Sequence, residues 1–188
     1  GTIQDGNDPV PDPAIIAAIG STLRDRSLDQ ATIALSVQLP VAGYLAEQME
    51  VIDVDAVHGA REALRRAIAE SLHDDLSKTY QANQSNKAYS PDAESAGRRS
   101  LKNIALAYLS KMEDTESLDL VRSQYYDADN MTDIVGALGL LVNLDVPDRK
   151  KALENYFDRF QRDGLVIEKW LSLQAMSTLP GTLETVKS

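Results

Sequence analysis

Residues 54–82 read VDAVHGAREALRRAIAESLHDDLSKTYQA, and the spacing of their apolar positions decides the fold class. Val57, Ala60, Leu64, Ala67, Ile68, Leu72, Leu76 and Tyr80 recur at intervals of three and four. That spacing predicts one amphipathic helix with a single stripe over roughly seven turns. Arg61, Glu62, Arg65, Arg66, Glu70, Asp74 and Lys78 fill the other face. This charged face reads as solvated, with Glu62 and Arg66 spaced as an i,i+4 ion pair.

Helical signals continue on both sides. After a polar loop over 83–89, Ser90-Pro91-Asp92 opens a second long helix to about Lys111, with Leu101, Ile104, Ala105, Tyr108 and Leu109 inward. Asp114 or Thr115 caps a helix ending near Tyr126. Asn130 caps 131–143, with Asp133 at the third position as its capping-box partner. Pro147 opens 148–162, with Leu153, Tyr156, Phe157 and Phe160 inward. Gly164 breaks the chain before 165–177, a segment apolar around much of its circumference and so expected to be enclosed. Gly181 precedes a last segment, 183–188, that reads as a helix cut short. Upstream, 41–49 reads as a short helix, and another follows Leu28-Asp29 and stops at Pro40. Asp12-Pro13 starts a helix to about Asp25, bearing Ile15, Ile16, Ile19 and Leu23 inward. Residues 1–11 form a polar lead-in, and 12–188 is expected to be a single helical domain, truncated from a larger one.

No segment alternates apolar and polar residues as a half-buried strand does. The expectation is therefore an all-α fold of about nine or ten helices. Antiparallel pairs would stack as an irregular superhelix or solenoid of the HEAT/armadillo kind. No motif recurs at a fixed period, so that reading rests on helix order alone.

Composition narrows the function. Twenty-nine acidic against 19 basic residues give a net charge of −10, which repels phosphate backbones and anionic membrane surfaces. Neither nucleic acid nor membrane is expected as a partner. The absence of cysteine excludes disulfides, thiolate zinc sites and a cysteine nucleophile, and fits the cytoplasm. Apolar runs such as 134–142 are too short to span a bilayer, and no secretory signal opens the chain. The chain begins Gly-Thr, and together with the unfinished last helix this reads as a piece of something longer.

The candidate chemistry is sparse. Glu70-x-x-His73 and Asp55-x-x-His58 have the ligand spacing of a di-iron helix bundle. Fifteen residues separate the two histidines, about 22 Å along one helix, and there is no third. Asp127, Asp129, Asn130 and Asp133 resemble the start of a calcium loop. Thr132 then stands where the turn glycine belongs and Leu138 where the bidentate glutamate belongs, so helix capping is the better reading. Trp170, Leu171 and Leu173 suggest either an aromatic pocket or core packing, and core packing is the plainer choice. Arg98-Arg99 reads as a surface pair or helix-face charge. Asn83-Gln-Ser and Asn130-Met-Thr match the glycosylation sequon by chance. H-E-x-x-H, G-x-S-x-G and a phosphate-cradling glycine loop are all missing.

Several collinear blocks carry a resemblance. Asp129-Asn130-Met131-Thr132-Asp133, followed by an Ala- and Leu-rich helix, is one. Asp163-Gly164-Leu165-Val166-Ile167-Glu168-Lys169-Trp170-Leu171-Ser172-Leu173-Gln174-Ala175 is the more specific. Leu39-Pro40, Arg61-Glu62-Ala63-Leu64 and Leu183-Glu184-Thr185-Val186 follow in order. Over roughly residues 28–188 the chain resembles the C-terminal helical domain of bacterial aminopeptidase N, in the zinc gluzincin (membrane alanyl aminopeptidase-like) family. The resemblance implies a parent whose catalytic domain binds zinc through H-E-x-x-H and a distal glutamate, and removes N-terminal residues from peptides. The helical domain would cover that site as a bowl, admitting only small or unfolded peptides. Its partners would be the catalytic domain of the same polypeptide and the parent's peptide substrates.

No catalytic, cofactor-binding or metal residue carries over to this chain, and the zinc belongs to the parent's catalytic domain. An acidic rim would attract substrates through their protonated amines, an effect that salt screens. Two other readings stand beside this one: a free-standing helical-repeat module that binds a peptide or protein, and a helical-bundle metalloenzyme.

Overall fold

Seven of the helices begin where an Asp or Asn side chain accepts an otherwise unpaired first-turn amide. Asp12, Asp29, Asp53, Asp92, Asp114, Asn130 and Asp163 all do so, the last accepting from both Leu165 and Val166. Each such bond satisfies one of the four amides that a helix start leaves without an intrahelical partner. A computed structural model describes residues 10–85 and 87–187, apart from the Thr185 side chain. Most of the expected polar lead-in, residues 1–9, lies outside the described residues.

Among the described residues there are eleven α-helices and no strand. They are α1 (Pro13–Arg24), α2 (Gln30–Val37), α3 (Ala42–Ala46), α4 (Val54–Ser71), α5 (His73–Ala82), α6 (Ala93–Leu109), α7 (Thr115–Asp127), α8 (Met131–Leu141), α9 (Pro147–Phe160), α10 (Gly164–Ala175) and α11 (Thr182–Lys187). A 3-10 turn, Ser110–Met112, extends α6. The all-helical expectation holds, but the count exceeds nine or ten because the helix expected over 54–82 is two. Leu72 adopts φ −117° and ψ 21°, outside helical geometry, while its amide still donates to Ile68 and its carbonyl still accepts from Leu76. The junction lies beside α1. A Cβ on Gly20 would sit 2.9 Å from Leu72 Cδ2, and Arg24 Nη1 donates to Asp75 Oδ2 at 2.6 Å.

The chain gathers into two compact units, divided between Met112 and Glu113. In the first, α6 lies against α2, α4 and α5. Val37, Ile68, Leu76, Tyr80, Leu101, Leu106 and Leu109 form its core. α2 and α6 approach at Gly97, where an added Cβ would meet the Ala31 amide nitrogen at 3.0 Å and the Ala31 Cβ at 3.2 Å. Close by, the buried Tyr108 hydroxyl donates to the Val37 carbonyl at 2.7 Å, and burial pushes its pKa up to about 12. Of the stripe expected for α4–α5, Val57, Ile68, Leu72, Leu76 and Tyr80 are buried, while Ala60, Leu64 and Ala67 are half-buried.

In the second unit each helix from α7 to α11 packs on the next. Val121, Tyr125, Ile134, Leu138, Leu141, Ala152 and Tyr156 are buried. The Tyr125 hydroxyl donates to the Ala152 carbonyl at 2.8 Å, tying α7 to α9. Two expectations are corrected here. Phe157 is exposed and only tilts against Trp170, with ring centroids 5.2 Å apart. α10 is not enclosed: it has no buried residue, although α9 and α11 lie against it and a Cβ on Gly139 of α8 would sit 3.5 Å from Leu173 Cδ2. Gly164, expected just before this helix, is its first residue, and Asp163 caps it.

The α2–α6 approach gives a direct test. Gly97→Val places three carbons where backbone atoms of α2 already stand, so α2 must shift. The expected loss is about 2 kcal/mol, within the range for overpacked cores, read as a lower urea midpoint with an unchanged m-value.

Candidate functional site

The residues with candidate chemistry are either exposed singly or engaged in caps and packing. His58 and Asp55 are exposed on α4. Glu70 is exposed near the end of α4, whereas His73 opens α5 beyond the Leu72 junction, its Nδ1 3.6 Å from Asp74 Oδ1. Among the described residues no three His, Asp or Glu side chains are grouped to hold a metal ion.

The calcium-like residues form a cap instead. Asn130 Oδ1 accepts from the Asp133 amide and Asn130 Nδ2 donates to Asp133 Oδ2, both at 3.0 Å, while Asp129 Oδ1 accepts from Asn130 Nδ2 at 3.1 Å. Neither sequon asparagine is free for a glycan: Asn130 is this cap, and the buried Asn83 donates to the Thr79 carbonyl at 2.8 Å. Trp170 is half-buried, and its indole N–H donates to the Leu153 carbonyl at 2.9 Å, so packing is its role.

Arg98 and Arg99 are more than surface charges. Arg98 donates to the Ala82 and Gln84 carbonyls at 3.1 and 3.4 Å. Arg99 donates to the Ser90 carbonyl at 2.9 Å and lies 4.7 Å over the Tyr89 ring. Adjacent arginines on α6 thus hold both ends of the loop before it. Nor is the charged face of α4 wholly solvated. Glu62, half-buried, accepts from Lys111 at 2.6 Å and from Arg65 at 3.2 Å. Burial pushes its carboxyl pKa up, but the two cations outweigh it and leave the group below its ordinary range. Arg61 Nε donates to the Pro40 carbonyl at 2.9 Å, tying α4 to the chain before α3. Sequence spacing could not reveal the Lys111 partner, which lies 49 positions from Glu62 (111 − 62).

What stands unassigned is apolar surface. In the first unit Val41, Tyr44, Val51, Ile52 and Val54 are exposed within one stretch. In the second, Leu165, Leu171, Met176, Leu183 and Val186 are exposed on and around α10 and α11. Single exposed apolar residues are ordinary, but contiguous groups mark surfaces that meet something.

Two measurements follow. Leu171→Ser with Met176→Ser should leave stability within about 0.5 kcal/mol, as for exposed positions, while lowering binding of an apolar fluorescent dye. Arg122, bonded to Asp148 and to Asp119, holds the Asp148 carboxyl below its usual range. Stability from this pair is full above the ordinary carboxylate pKa and is lost as pH falls through the lowered one. The thermal midpoints of wild type and Asp148→Asn should therefore converge only below about pH 4.

Comparison with known proteins places this surface in context. The family described as "Domain of unknown function (DUF3458_C) ARM repeats" matches residues 2–188. Aminopeptidase N of Escherichia coli (strain K12) is 36% identical over 170 residues, 90% of this chain and 19% of that protein. Aminopeptidase N of Caulobacter vibrioides is 36% identical over 169 residues, 90% of this chain and 20% of its own length. Aminopeptidase N of Haemophilus influenzae is 31% identical over 175 residues, covering 93% and 20%. The crystal structure of Legionella pneumophila aminopeptidase A in complex with aspartic acid superposes with a TM-score of 0.84 at 26% identity, covering 98% of this chain and 23% of that one. The chain thus spans about a fifth of the length of the curated relatives it matches. With a match from residue 2 to residue 188, the chain belongs to the DUF3458_C ARM-repeat family, and it is similar to the C-terminal helical domain of bacterial aminopeptidase N.

Proposed function

We propose that this chain is a non-catalytic part of a zinc-dependent aminopeptidase that removes N-terminal amino acids from peptides. Within that larger protein it caps the active site and restricts which substrates reach it. One observation carries this reading: nine-tenths of the chain aligns with only a fifth of proteins named aminopeptidase N. A segment of that size supplies a part of the enzyme, and this sequence holds no H-E-x-x-H with which to bind zinc and activate water.

Stacked helices suit the role. Within each unit helices pack on one another, the kind of arrangement from which repeat folds build surfaces that bind extended chains. The exposed apolar group around Leu171 supports the reading as a surface that such a cap presents to the rest of its protein. Zinc in the catalytic portion would supply the activated water, and this chain's residues contribute shape and charge around it.

The isolated chain is expected to show no turnover of an alanyl chromogenic substrate and to lose added zinc on dialysis. Turnover, or one retained zinc per chain, would refute the non-catalytic assignment. For the intact parent, the same N-terminal sequence is offered as a short peptide, an unfolded polypeptide and the end of a folded domain. Cleavage of the first two but not the third is expected, and equal rates on all three would refute the cap.

A further inference from the structure

Between residues 41 and 55 the chain buries no side chain. Val41, Tyr44, Val51, Ile52 and Val54 are each more than half exposed, and Leu45, Ala46 and Met49 are only half-buried. The stretch is nonetheless folded. α3 is closed at its end by the Glu47 amide donating to the Gly43 carbonyl, and the Gln48 and Met49 amides donate to the Leu45 and Ala46 carbonyls. α3 packs on α4. Five large apolar side chains are thus held exposed within fourteen residues, a dense run of the kind that marks a surface that meets something.

The charge around the patch is one-sided. Glu47, Glu50, Asp53 and Asp55 interleave with these apolar residues and are all exposed. From residue 27 to residue 60 there is no Lys or Arg. Arg61 reaches the edge of the stretch, but its Nε is given to the Pro40 carbonyl and the residue is half-buried. Asp53 spends one carboxylate oxygen on the α4 cap, accepting from the Ala56 amide at 2.9 Å. An apolar surface interleaved with carboxylates repels acidic peptides and anionic lipid, and it complements a partner that carries positive charge beside apolar side chains.

We propose that residues 41–55 form a binding surface for a cationic, apolar peptide segment, in which Lys, Arg or a free amino terminus alternates with side chains of leucine size. Contact with Val51, Ile52 and Tyr44 supplies the affinity, and Glu47, Glu50 and Asp55 select the sign of the charge. The inference rests on the proposed function only in taking a peptide as the occupant. Binding is a property of this chain alone and stands or falls separately from the parent's turnover.

The full 188-residue chain is titrated into a fluorescein-labelled Leu-Lys repeat peptide and a Leu-Glu peptide of the same length, with hydrogen exchange of the complex. Saturable binding of the Leu-Lys peptide alone is expected, with slowed exchange confined to residues 41–55. Glu47→Gln with Glu50→Gln should weaken it about fivefold, the sum of a few exposed charge pairs. Raising ionic strength from roughly 0.02 to 0.5 M should weaken it in the same sense. Val51→Ser with Ile52→Ser, which keeps every charge, should weaken it at least as much. If that apolar variant binds unchanged, the attraction is non-specific charge and the proposal is overturned. Equal binding of the Leu-Glu peptide, or protection elsewhere, overturns it too. In the intact parent, full exchange protection of 41–55 without peptide would mean that the stretch is buried against its own polypeptide, and would likewise overturn it.

Discussion

A helix with an apolar stripe on one side is stable only when that stripe is laid on another helix, and the two units meet this constraint in different ways. In the first unit the decisive contact is between α2 and α6, which lie far apart in the chain. α2 has only eight residues, too few to persist alone in water, because a short helix carries the full cost of nucleation with few bonds to offset it. Its existence depends on Ile33, Ala34 and Val37 being covered. The cover is close because residue 97 of α6 has no side chain. Tyr108 then takes the Val37 carbonyl at the end of α2, an acceptor that a buried helix end would otherwise leave unpaired. In the second unit the constraint is met by sequence neighbours, each helix covering the last. The consequence is visible at α10. Trp170, bonded to the Leu153 carbonyl of α9, and Leu173, beside Gly139 of α8, are half-buried, while Leu165 and Leu171 face water.

The two solutions differ in what a sequence reader can see. Local chemistry was legible: Asp12, Asp29, Asp92, Asp114 and Asn130 mark helix starts because a capping side chain bonds amides two or three residues on. The buried stripe of 54–82 was legible for the same reason. The Leu72 junction was not, because the apolar spacing runs through it without a change of phase, and α1 lies beside it from fifty residues away. Glu62 invited pairing with Arg66, four residues on, yet Lys111 at the far end of α6 lies 2.6 Å from its carboxylate. The exposure of α10 was misread because composition reports how apolar a helix is, while burial depends on how many neighbours it has.

The same division applies to the candidate site. The histidine pairs and the acidic run at 127–133 look like ligand sets when only spacing is considered. In the structure the acidic run is a helix cap, and the Leu72 junction separates Glu70 from His73 onto different helices. Arg98 and Arg99 gained a role that spacing could not suggest, since their acceptors are loop carbonyls before α6. The stretch 41–55 passed in sequence as one more short helix. Its apolar residues fall on a five-residue helix and the turns after it, where periodicity is too brief to separate an inward face from an outward one.

A domain that holds none of the reacting atoms influences a reaction only through which molecules arrive and how they are held. In the proposed cap, contacts made equally by bound substrate and transition state lower KM and leave kcat alone. Steric exclusion goes further, because a folded chain that cannot reach the metal has no productive complex to stabilise. Charge works earlier, on encounter: carboxylates interleaved with apolar side chains favour the approach of a protonated amine and disfavour an acidic peptide, with no change in the chemical step. On the proposed reading, an acidic, all-helical part would shape selectivity in this way without touching the chemical step. Its surface chemistry can vary without disturbing a catalytic centre, since the capped helices and covered stripes that maintain the fold are separate from the residues that face outward.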